Sequence, residues 1–438
     1  MRSALIVAFQ FPPFAAGSGI LRMLKFCRYL PEFGWQATVL TASTKAYERT
    51  DDALLKQIPA DVQVVRAFAR DAQRHLSFRG RYFRWMALPD RSASWIPAAV
   101  WNGLRLIRKR RADVILTTYP IASSVLVGLM LHKLTGKPWV VDFRDSMTEE
   151  NYPEDRRTRR IYRWIEDKAV RHAIRLVFTA KSTIEMYRRR YSFLSEEHCL
   201  LIPNGYDEED FQALAAPSSE VSIQPRPVRL LHLGLIYPWE RDPRPFFRAL
   251  AKLKNTQQIR TGGLRIELRA SGQEDYYQRI LHELGIEDVV SLLSALPYAE
   301  GLEEAAASDG LLLFQAANCD HQIPAKAYEY LRIGKPILAL TSHTGDTAAL
   351  LNETGGATIV DIADEQAILE AIPKFLDAVG RGVHPAPNPT AVQRYARKNQ
   401  AGFLAHSLSA AVDGASTDGG NQSRLAARPP GAAELVRK

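Results

Sequence analysis

One short segment of the C-terminal half carries a cation and a carboxylate at helical spacing. It reads IPAKAYEYLRIGKP from residue 323. Pro324 suits the first turn of a helix and Gly334 its end, while Lys326 and Glu329, three residues apart, share one face. This arrangement suits a nucleoside diphosphate, with helix N–H groups and Lys326 on the phosphates and Glu329 on two ribose hydroxyls. The alternative is an ordinary ion pair on a helix surface.

A second candidate is the glycine-bearing turn that follows the first apolar run. The segment FPPFAAGSGILR, from residue 11, places Gly17 and Gly19 between a predicted strand and a predicted helix. Glycines allow a backbone to approach an anion closely. A dinucleotide fingerprint would need a third glycine where Arg22 stands and an acid about 20 residues later, and neither is present. The turn is therefore a ligand loop at a cleft between domains or a tight turn without a ligand.

Three further charged residues are candidates for phosphate or proton chemistry. Arg144 and Asp145 end the run VVDFRD, at the end of a predicted buried strand. Asp145 is a candidate to orient an acceptor or take its proton and Arg144 to hold a phosphate, or the two form a helix-capping pair. Arg241 is a candidate diphosphate ligand, because a guanidinium binds phosphate oxygens bidentately, or a surface arginine. The sequence contains no Asp-x-Asp and no His-x-x-x-His, so we predict no metal and no other cofactor.

Two domains are expected to position these residues. The 438 residues are about three times a typical ~150-residue domain. Short, continuously apolar runs alternate with amphipathic stretches, which predicts parallel strands covered on both faces, an α/β fold. The predicted boundaries are an N-terminal Rossmann-like domain at 1–212, a linker at 213–228, a C-terminal Rossmann-like domain at 229–388, a helix at 389–411 that returns to the first domain, and a disordered tail at 412–438.

Composition and charge limit the classes of partner that the chain is expected to bind. The chain is 46% hydrophobic with a net charge of +9, which excludes a disordered protein and favours anionic partners. The three separated cysteines predict a reducing cytoplasm, and no apolar stretch is long enough to span a membrane. No nucleic-acid-reading motif accompanies the charge. Basic clusters fit either solvated helix faces or the anionic inner face of the cell membrane. They lie at Arg105, 108–111, 156–160 and 188–190, interleaved with Tyr162, Trp164 and Tyr187.

Several motifs in order resemble the group 1, family 4-like glycosyltransferases of the GT-B fold. They are the PPFxxGxG turn, VVDFRD, IPNGYD from residue 202, Leu233-Gly234 and the segment that contains Lys326 and Glu329. The similarity covers about residues 1–410. It implies two Rossmann-like, doubly wound domains facing across a cleft. It also implies transfer of a sugar from a nucleotide-sugar donor to a glycan or lipid-linked acceptor in polysaccharide or glycolipid synthesis, usually with retention and without a metal.

The resemblance also implies roles for the candidate residues. Glu329 falls on the ribose-binding acid of the family. The diphosphate is assigned to Arg241, Lys326 and the helix N-terminus at Pro324, and room for the donor to Gly17, Gly19 and Gly234. Two positions depart from the family: His321 stands eight residues before Glu329, where an acid is common, and Leu235 follows Gly234, where arginine is common. A nucleotide-sugar epimerase on the same fold and a non-catalytic nucleotide-sugar-binding protein therefore remain as alternatives.

Overall fold

The computed structural model describes residues 1–15, 19–75, 83–212, 214, 226–259 and 262–417, which form two α/β domains. The first is built on a seven-stranded sheet with the order β3-β2-β1-β4-β5-β6-β7, and all its strands are parallel. The strands are β1 Arg2–Val7, β2 Trp35–Ala42, β3 Gln63–Ala67, β4 Val114–Tyr119, β5 Trp139–Phe143, β6 Arg175–Phe178 and β7 Cys199–Leu201. The helices are α1 Gly19–Tyr29, α2 Ala72–His75, α3 Ile96–Arg110, α4 Ala122–Thr135, α5 Arg156–His172, α6 Lys181–Arg190 and α7 Glu208–Gln212.

The second domain repeats this plan. Its six parallel strands have the order β10-β9-β8-β11-β12-β13. They are β8 Val228–Leu233, β9 Leu264–Arg269, β10 Val290–Leu293, β11 Gly310–Gln315, β12 Ile337–Thr341 and β13 Ala357–Val360. The helices are α8 Arg244–Asn255, α9 Glu274–Glu283, α10 Tyr298–Ala307, α11 Ala325–Ile333, α12 Asp346–Thr354, α13 Glu365–Gly380, α14 Pro389–Gln393 and α15 Arg397–Thr417.

Two strands inside each sheet are buried along their whole length. Every residue of β4, β5, β11 and β12 is buried. This explains their continuous rather than alternating hydrophobicity, because helices cover both faces of the sheet. The prediction of two doubly wound parallel domains is confirmed.

Both sheets have a point at which the strand order reverses direction. In the first it lies between β1 and β4, and in the second between β8 and β11. Loops that leave neighbouring carboxyl ends in opposite directions open a crevice there, which is the usual ligand position of such sheets. The turn before Gly19 follows β1, and Gly234 follows β8, so both candidate glycines lie at these reversal points.

The chain crosses between the domains at two adjacent segments. Tyr206 pairs with Ala396 in a parallel bridge, and a Cβ on Gly205 would overlap the backbone oxygen of Tyr395. The helix α15 then packs on α1, and its Leu404 and Leu408 join the core of the first domain. The chain thus returns to the first domain after completing the second.

Three of the predicted boundaries need correction. The segment 389–411 is not one helix, because the pairing of residues 395–397 with Tyr206 interrupts it between α14 and α15. The helix α15 continues to Thr417, so residues 412–417 are not a disordered tail, and Asp413 pairs with Arg2 at 2.6 Å. The predicted linker ends inside β8, at Val228. The remainder of the predicted linker and of the predicted disordered tail lies mostly at residues 213, 215–225 and 418–438, which are outside the described residues.

A buried ion pair connects α1, β5 and the loop after β7. Arg22 of α1 donates from Nη2 to Oδ1 of Asp142 at 2.8 Å, and its Nε lies 3.2 Å from both carboxylate oxygens. The same guanidinium donates to the carbonyl oxygens of Ile202 and Pro203. Thr118 of β4 donates to Asp142 Oδ2. Arg22, noted in the sequence as the residue that replaces a third glycine, is therefore a structural residue of the core.

Removal of one partner of this pair is expected to destabilise the first domain. We predict that Asp142→Ala lowers the free energy of unfolding by about 3 to 5 kcal/mol, because it leaves a buried guanidinium without its counter-charge. Asp413→Ala, which breaks the exposed pair with Arg2, is the control and should cost less than about 1 kcal/mol. Urea unfolding followed by circular dichroism measures both. Equal effects of the two substitutions would contradict the structural role of Asp142.

Candidate active site

The carboxyl edge of the second sheet holds the segment with Lys326 and Glu329. Pro324 is the N-cap residue of α11, one position earlier than the sequence predicted, and Gly334 ends the helix in the left-handed conformation at φ 80°. Lys326 lies in the first turn and Glu329 in the second, and both side chains are partly accessible. The predicted arrangement of cation and carboxylate on one face of this helix is present.

Lys326 lies above the residue that follows β8. A Cβ on Gly234, whose φ is +91°, would be 3.4 Å from Lys326 Nζ. The amine is 2.9 Å from Nε2 of His232. Burial lowers the pKa of Lys326 well below its ordinary value, and the nearby charge of Arg241 lowers it further, while Glu329 acts in the opposite direction. The negative charge near Lys326 is therefore too small to offset the burial of its ammonium form.

Arg241 is held beside Lys326 by three contacts. Its Nη1 donates to the Leu235 carbonyl oxygen at 2.9 Å, and its Nε lies 3.3 Å from Gln315 Oε1. The guanidinium carbon lies 5.4 Å from the centre of the Tyr237 ring. These contacts orient the group without a carboxylate partner among the described residues, so its charge is not neutralised by an ion pair.

Glu329 has a partner that sequence reasoning missed. The Tyr298 hydroxyl, at the first residue of α10, donates to Glu329 Oε1 at 2.8 Å. Burial raises the pKa of Glu329, and the Tyr298 hydrogen bond and the charges of Arg397 and Lys326 oppose that rise. Within the described residues no hydrogen bond reaches Oε2, which leaves it available to a ligand. The only sequence signal for Tyr298 is an aromatic residue directly after Pro297.

Arg144 and Gly19 meet at the carboxyl edge of the first sheet. Arg144 Nε donates to the carbonyl oxygen of Tyr119, the last residue of β4, at 2.7 Å. Its guanidinium lies so close to Gly19 that any Cβ there would overlap it. The space at Gly19, predicted to admit a donor sugar, is thus occupied by Arg144. Gly17 lies outside the described residues.

Asp145 follows Arg144 and is exposed to solvent in the cleft. The surrounding protein raises its pKa by desolvation, as do the neighbouring carboxylates Asp142 and Glu149, while Arg144 lowers it. Charge on His321 of the second domain also lowers this pKa. Asp145 therefore faces the second domain and is a stronger base than an isolated aspartate.

His321, which stands where the family often has an acid, is paired with an acid from the other domain. Its Nε2 lies 2.9 Å from Oε1 of Glu149, in the loop after β5. Glu149 also accepts a hydrogen bond from Ser146. The Thr183 hydroxyl donates to the His321 carbonyl oxygen at 2.9 Å. Sequence reasoning did not identify Glu149, because nothing local distinguishes it.

Two groups of predicted residues thus face each other. Pro324, Lys326 and Glu329 lie with Gly234 and Arg241 on the second domain. Arg144 and Asp145 lie on the first, beside the contact between Glu149 and His321. Within the described residues no group of three or more histidine, cysteine or acidic side chains is arranged to hold a metal ion. No described helix is long and apolar enough to cross a membrane.

Comparison with known proteins identifies the first domain. Residues 20–205, from α1 to the loop after β7, match the glycosyl transferase 4-like domain. The first domain is a glycosyl transferase 4-like domain, and the whole chain has the GT-B fold. A sequence comparison with curated proteins gives no match for this chain.

Solved structures share the two-domain architecture of this chain. HepE of Anabaena, in complex with UDP and glucose, is 16% identical with a TM-score of 0.63, covering 94% of this chain and 100% of its own. Sucrose-phosphate synthase of Thermosynechococcus elongatus is 16% identical with a TM-score of 0.60 and the same coverage. UDP-GlcNAc 2-epimerase of Methanocaldococcus jannaschii is 11% identical with a TM-score of 0.56, covering 94% and 100%. At these identities the likeness concerns the fold.

The contact between Glu149 and His321 is expected to stabilise the folded protein in a defined pH window. The hydrogen bond to Glu149 raises the pKa of His321 above its ordinary 6.5. The contribution of His321 to the free energy of unfolding is therefore complete below pH 6.5 and disappears as pH rises through the raised pKa. The pKa of Glu149 is lowered from 4.5, chiefly by His321. The contribution of Glu149 to the free energy of unfolding is therefore complete above pH 4.5 and disappears as pH falls through the lowered pKa. The coupling should therefore be greatest between about pH 5 and 6.5.

A double-mutant cycle with Glu149→Gln and His321→Gln measures this coupling. We expect about 1 kcal/mol at pH 6 and almost none at pH 9. The exposed pair His282 and Glu287, 3.0 Å apart within the second domain, is the matched control and should show weaker coupling at pH 6. A coupling that did not change between the two pH values would exclude an ionic contact between the domains.

Proposed function

We propose that this protein is a glycosyltransferase, which binds a nucleotide-sugar donor on the second domain and transfers the sugar to a glycan or lipid-linked acceptor on the first, with retention and without a metal. The observation that carries the proposal is the placement of Lys326 and Glu329 on one face of α11, beside Gly234 and Arg241 at the reversal point of the second sheet. The complex of HepE with UDP and glucose supports a donor of this class.

Lys326 and Arg241 are suited to a leaving diphosphate. Negative charge on the diphosphate grows as the bond to the sugar breaks, so fixed cations stabilise the transition state more than the bound donor. Neither cation has a carboxylate ion-pair partner among the described residues, and the pKa of Lys326 is lowered. A bound diphosphate would supply the missing counter-charge and would favour the ammonium form of Lys326. The first N–H groups of α11, which have no partner within the helix, add to this field.

Glu329 is suited to the ribose of the nucleotide. Tyr298 holds Oε1, so the carboxylate presents Oε2 in a fixed orientation. A carboxylate that accepts from vicinal hydroxyls forms charge-assisted hydrogen bonds, each stronger than a neutral one. Because Glu329 lies one helical turn after Lys326, ribose and diphosphate would lie side by side along α11.

Asp145 and Arg144 are suited to the acceptor side of the cleft. The raised pKa of Asp145 makes it a better proton acceptor for a hydroxyl at neutral pH. The departing diphosphate is a second proton acceptor, since its oxygens lie beside the sugar carbon that is attacked. Arg144, fixed by the Tyr119 carbonyl and packed on Gly19, supplies a cation at the same edge.

Substitution of Glu329 tests the donor site. We predict that Glu329→Ala weakens binding of the preferred nucleotide by about tenfold to a hundredfold, the equivalent of 1.5 to 3 kcal/mol for hydrogen bonds to a charged group. The nucleotide is first selected from UDP, GDP, ADP and CMP by thermal shift. The constants are measured by titration calorimetry. Glu353→Ala is the matched control, because Glu353 also accepts from a tyrosine hydroxyl, that of Tyr395, and is outside the site. Unchanged nucleotide affinity in Glu329→Ala would remove Glu329 from the site.

The products distinguish sugar transfer from epimerisation of the donor and from binding without turnover. Radiolabel from the sugar of the donor should appear in an added glycan or lipid-linked acceptor, and the anomeric configuration of the product reports retention. An epimerase would form a sugar isomer without any acceptor. A non-catalytic protein would bind the donor without turnover. Either of these two results would exclude the proposed transfer.

We further propose that the exposed faces of α3, α4 and α5 contact an anionic membrane, where a lipid-linked acceptor would be located. These helices pack side by side. Trp101 is 59% exposed and lies 4.7 Å from the Arg105 guanidinium, and Trp164 is 50% exposed on α5. Exposed aromatic and basic side chains together suit the interface of a bilayer.

The structure corrects part of the predicted basic clusters. Tyr162 and Tyr187 are buried in the core, so they are not surface residues. Arg190 pairs with the buried Glu166, and Arg159 donates to the carbonyl oxygens of Glu150 and Pro153. The basic surface of α5 therefore depends on other arginines. Those exposed at its start are Arg156, Arg157 and Arg160.

Membrane contact is tested by cosedimentation with liposomes. We predict that the protein pellets with anionic liposomes at ~50 mM salt, where screening is weak, and dissociates at high salt. Replacement of Arg156, Arg157 and Arg160 by glutamine should abolish binding, since each cation near the surface contributes about 1 kcal/mol.

The control removes three charges from the second domain. Replacement of Arg279, Lys374 and Arg381 by glutamine changes the net charge equally and should leave binding intact. Neutral phosphatidylcholine liposomes should not retain the wild-type protein. Absence of cosedimentation with anionic liposomes at low salt would indicate an acceptor that is not at a membrane.

A further inference from the structure

A histidine buried in the second sheet contacts the lysine of the candidate donor site. His232 of β8 is fully buried, and its ring packs edge-on against Phe314 of β11. Nδ1 lies 2.8 Å from the carbonyl oxygen of Leu312, and Nε2 lies 2.9 Å from Lys326 Nζ. Both ring nitrogens are therefore in hydrogen-bond contact, one with the core and one with the candidate site. The proposed transfer chemistry has not required this residue.

These two contacts determine the tautomer of His232. A carbonyl oxygen can only accept a hydrogen bond, so Nδ1 carries the proton and Nε2 presents a lone pair. The amine of Lys326 then donates to Nε2. Burial, together with the charges of Lys326 and Arg241, lowers the pKa of His232 well below its ordinary value. His232 is therefore a neutral acceptor beneath the lysine.

We propose that His232 is a positioning residue, which holds the Lys326 ammonium above Gly234 in the orientation required by the donor diphosphate. A lysine side chain has four flexible carbons and three rotatable N–H groups, so its charge is poorly located without a fixed partner. One hydrogen bond to His232 locates the nitrogen and leaves the other N–H groups for phosphate oxygens. The inference rests on the proposed function, because it assumes that Lys326 binds the diphosphate.

The same hydrogen bond favours the charged form of Lys326. A lone pair directed at an ammonium stabilises it relative to the neutral amine, against the effects of burial and of Arg241. Loss of the acceptor should lower the pKa of Lys326 further and reduce the fraction that is charged at neutral pH. A histidine that merely fills the core would have no such effect.

Two substitutions at the same position separate these roles. His232→Phe keeps an aromatic ring but has no acceptor. His232→Gln places an amide oxygen near the position of Nε2 and so keeps an acceptor for Lys326. Both variants lose the hydrogen bond to the Leu312 carbonyl, so the difference between them isolates the contact with Lys326. Phe314→Leu, which alters the packing against the ring and leaves His232 in place, is the control for a core defect.

The first measurement uses the protein without ligand. Competitive acetylation with acetic anhydride over a range of pH, followed by mass spectrometry, gives the midpoint at which Lys326 becomes reactive. We expect the midpoint in His232→Phe to fall by about one pH unit, the equivalent of one charge-assisted hydrogen bond. The midpoints of His232→Gln and Phe314→Leu should remain near that of the wild type. An unchanged midpoint in His232→Phe would overturn the proposal.

The second measurement is the steady-state rate, with Lys326→Ala as the reference. We expect His232→Phe to lower kcat by about tenfold to a hundredfold with a smaller change in donor KM, and His232→Gln to recover most of the loss. Impairment of Lys326→Ala with normal kinetics of His232→Phe would reject the role of His232 and leave the proposed function intact. Normal kinetics of Lys326→Ala would reject both.

A test on the wild-type protein covers the case in which His232→Phe does not fold. In ¹⁵N spectra of the histidine-labelled protein, one neutral imidazole should carry its proton on Nδ1 and not titrate between pH 5.5 and 8.5. Comparison with the spectrum of His232→Gln assigns the signal. A proton on Nε2, or titration within this range, would overturn the proposal.

Discussion

The buried ion pair between Arg22 and Asp142 is the interaction on which the geometry of the first domain depends. A guanidinium without solvent must satisfy its N–H groups inside the protein, and here they reach a carboxylate on β5 and two carbonyl oxygens after β7. The pair therefore fixes the first half of α1 against both β5 and the loop after β7. Arg144, two residues after Asp142, is then brought onto Gly19 at the cleft.

Charge is distributed differently in the second domain. There the polar groups of the candidate site are not neutralised by one another: the pKa of Lys326 is lowered and that of Glu329 is raised. Burial also lowers the pKa of Arg397, at the crossing, to about 10, with Arg22 as the next cause. An anionic ligand would stabilise the charged form of Lys326, and hydroxyl donors would stabilise the carboxylate form of Glu329.

The two domains are joined by contacts of different kinds. The backbone of Tyr206 pairs with the segment before α15, where Gly205 allows the chains to approach. At the cleft the contacts are polar and partly exposed: Glu149 meets His321, and the Ser182 N–H donates to Asp346 at 3.1 Å. Backbone pairing and the packing of α15 on α1 supply a permanent connection. The contact between Glu149 and His321 depends on the protonation of both groups, so its strength changes with pH.

The sequence alone determined the architecture and the central residues of the candidate donor site. Continuous apolar runs specify strands covered on both faces, and Pro324 and Gly334 delimit α11, so Lys326 and Glu329 had to share a face. These signals are local, because they depend on spacing within a few residues. Only the tertiary structure decided which distant side chains contact these residues and the other charged groups. His232 lies 94 positions from Lys326, Glu149 lies 172 positions from His321, and Asp142 lies 120 from Arg22. No local pattern encodes such distant pairs, because their meeting depends on strand order and domain placement.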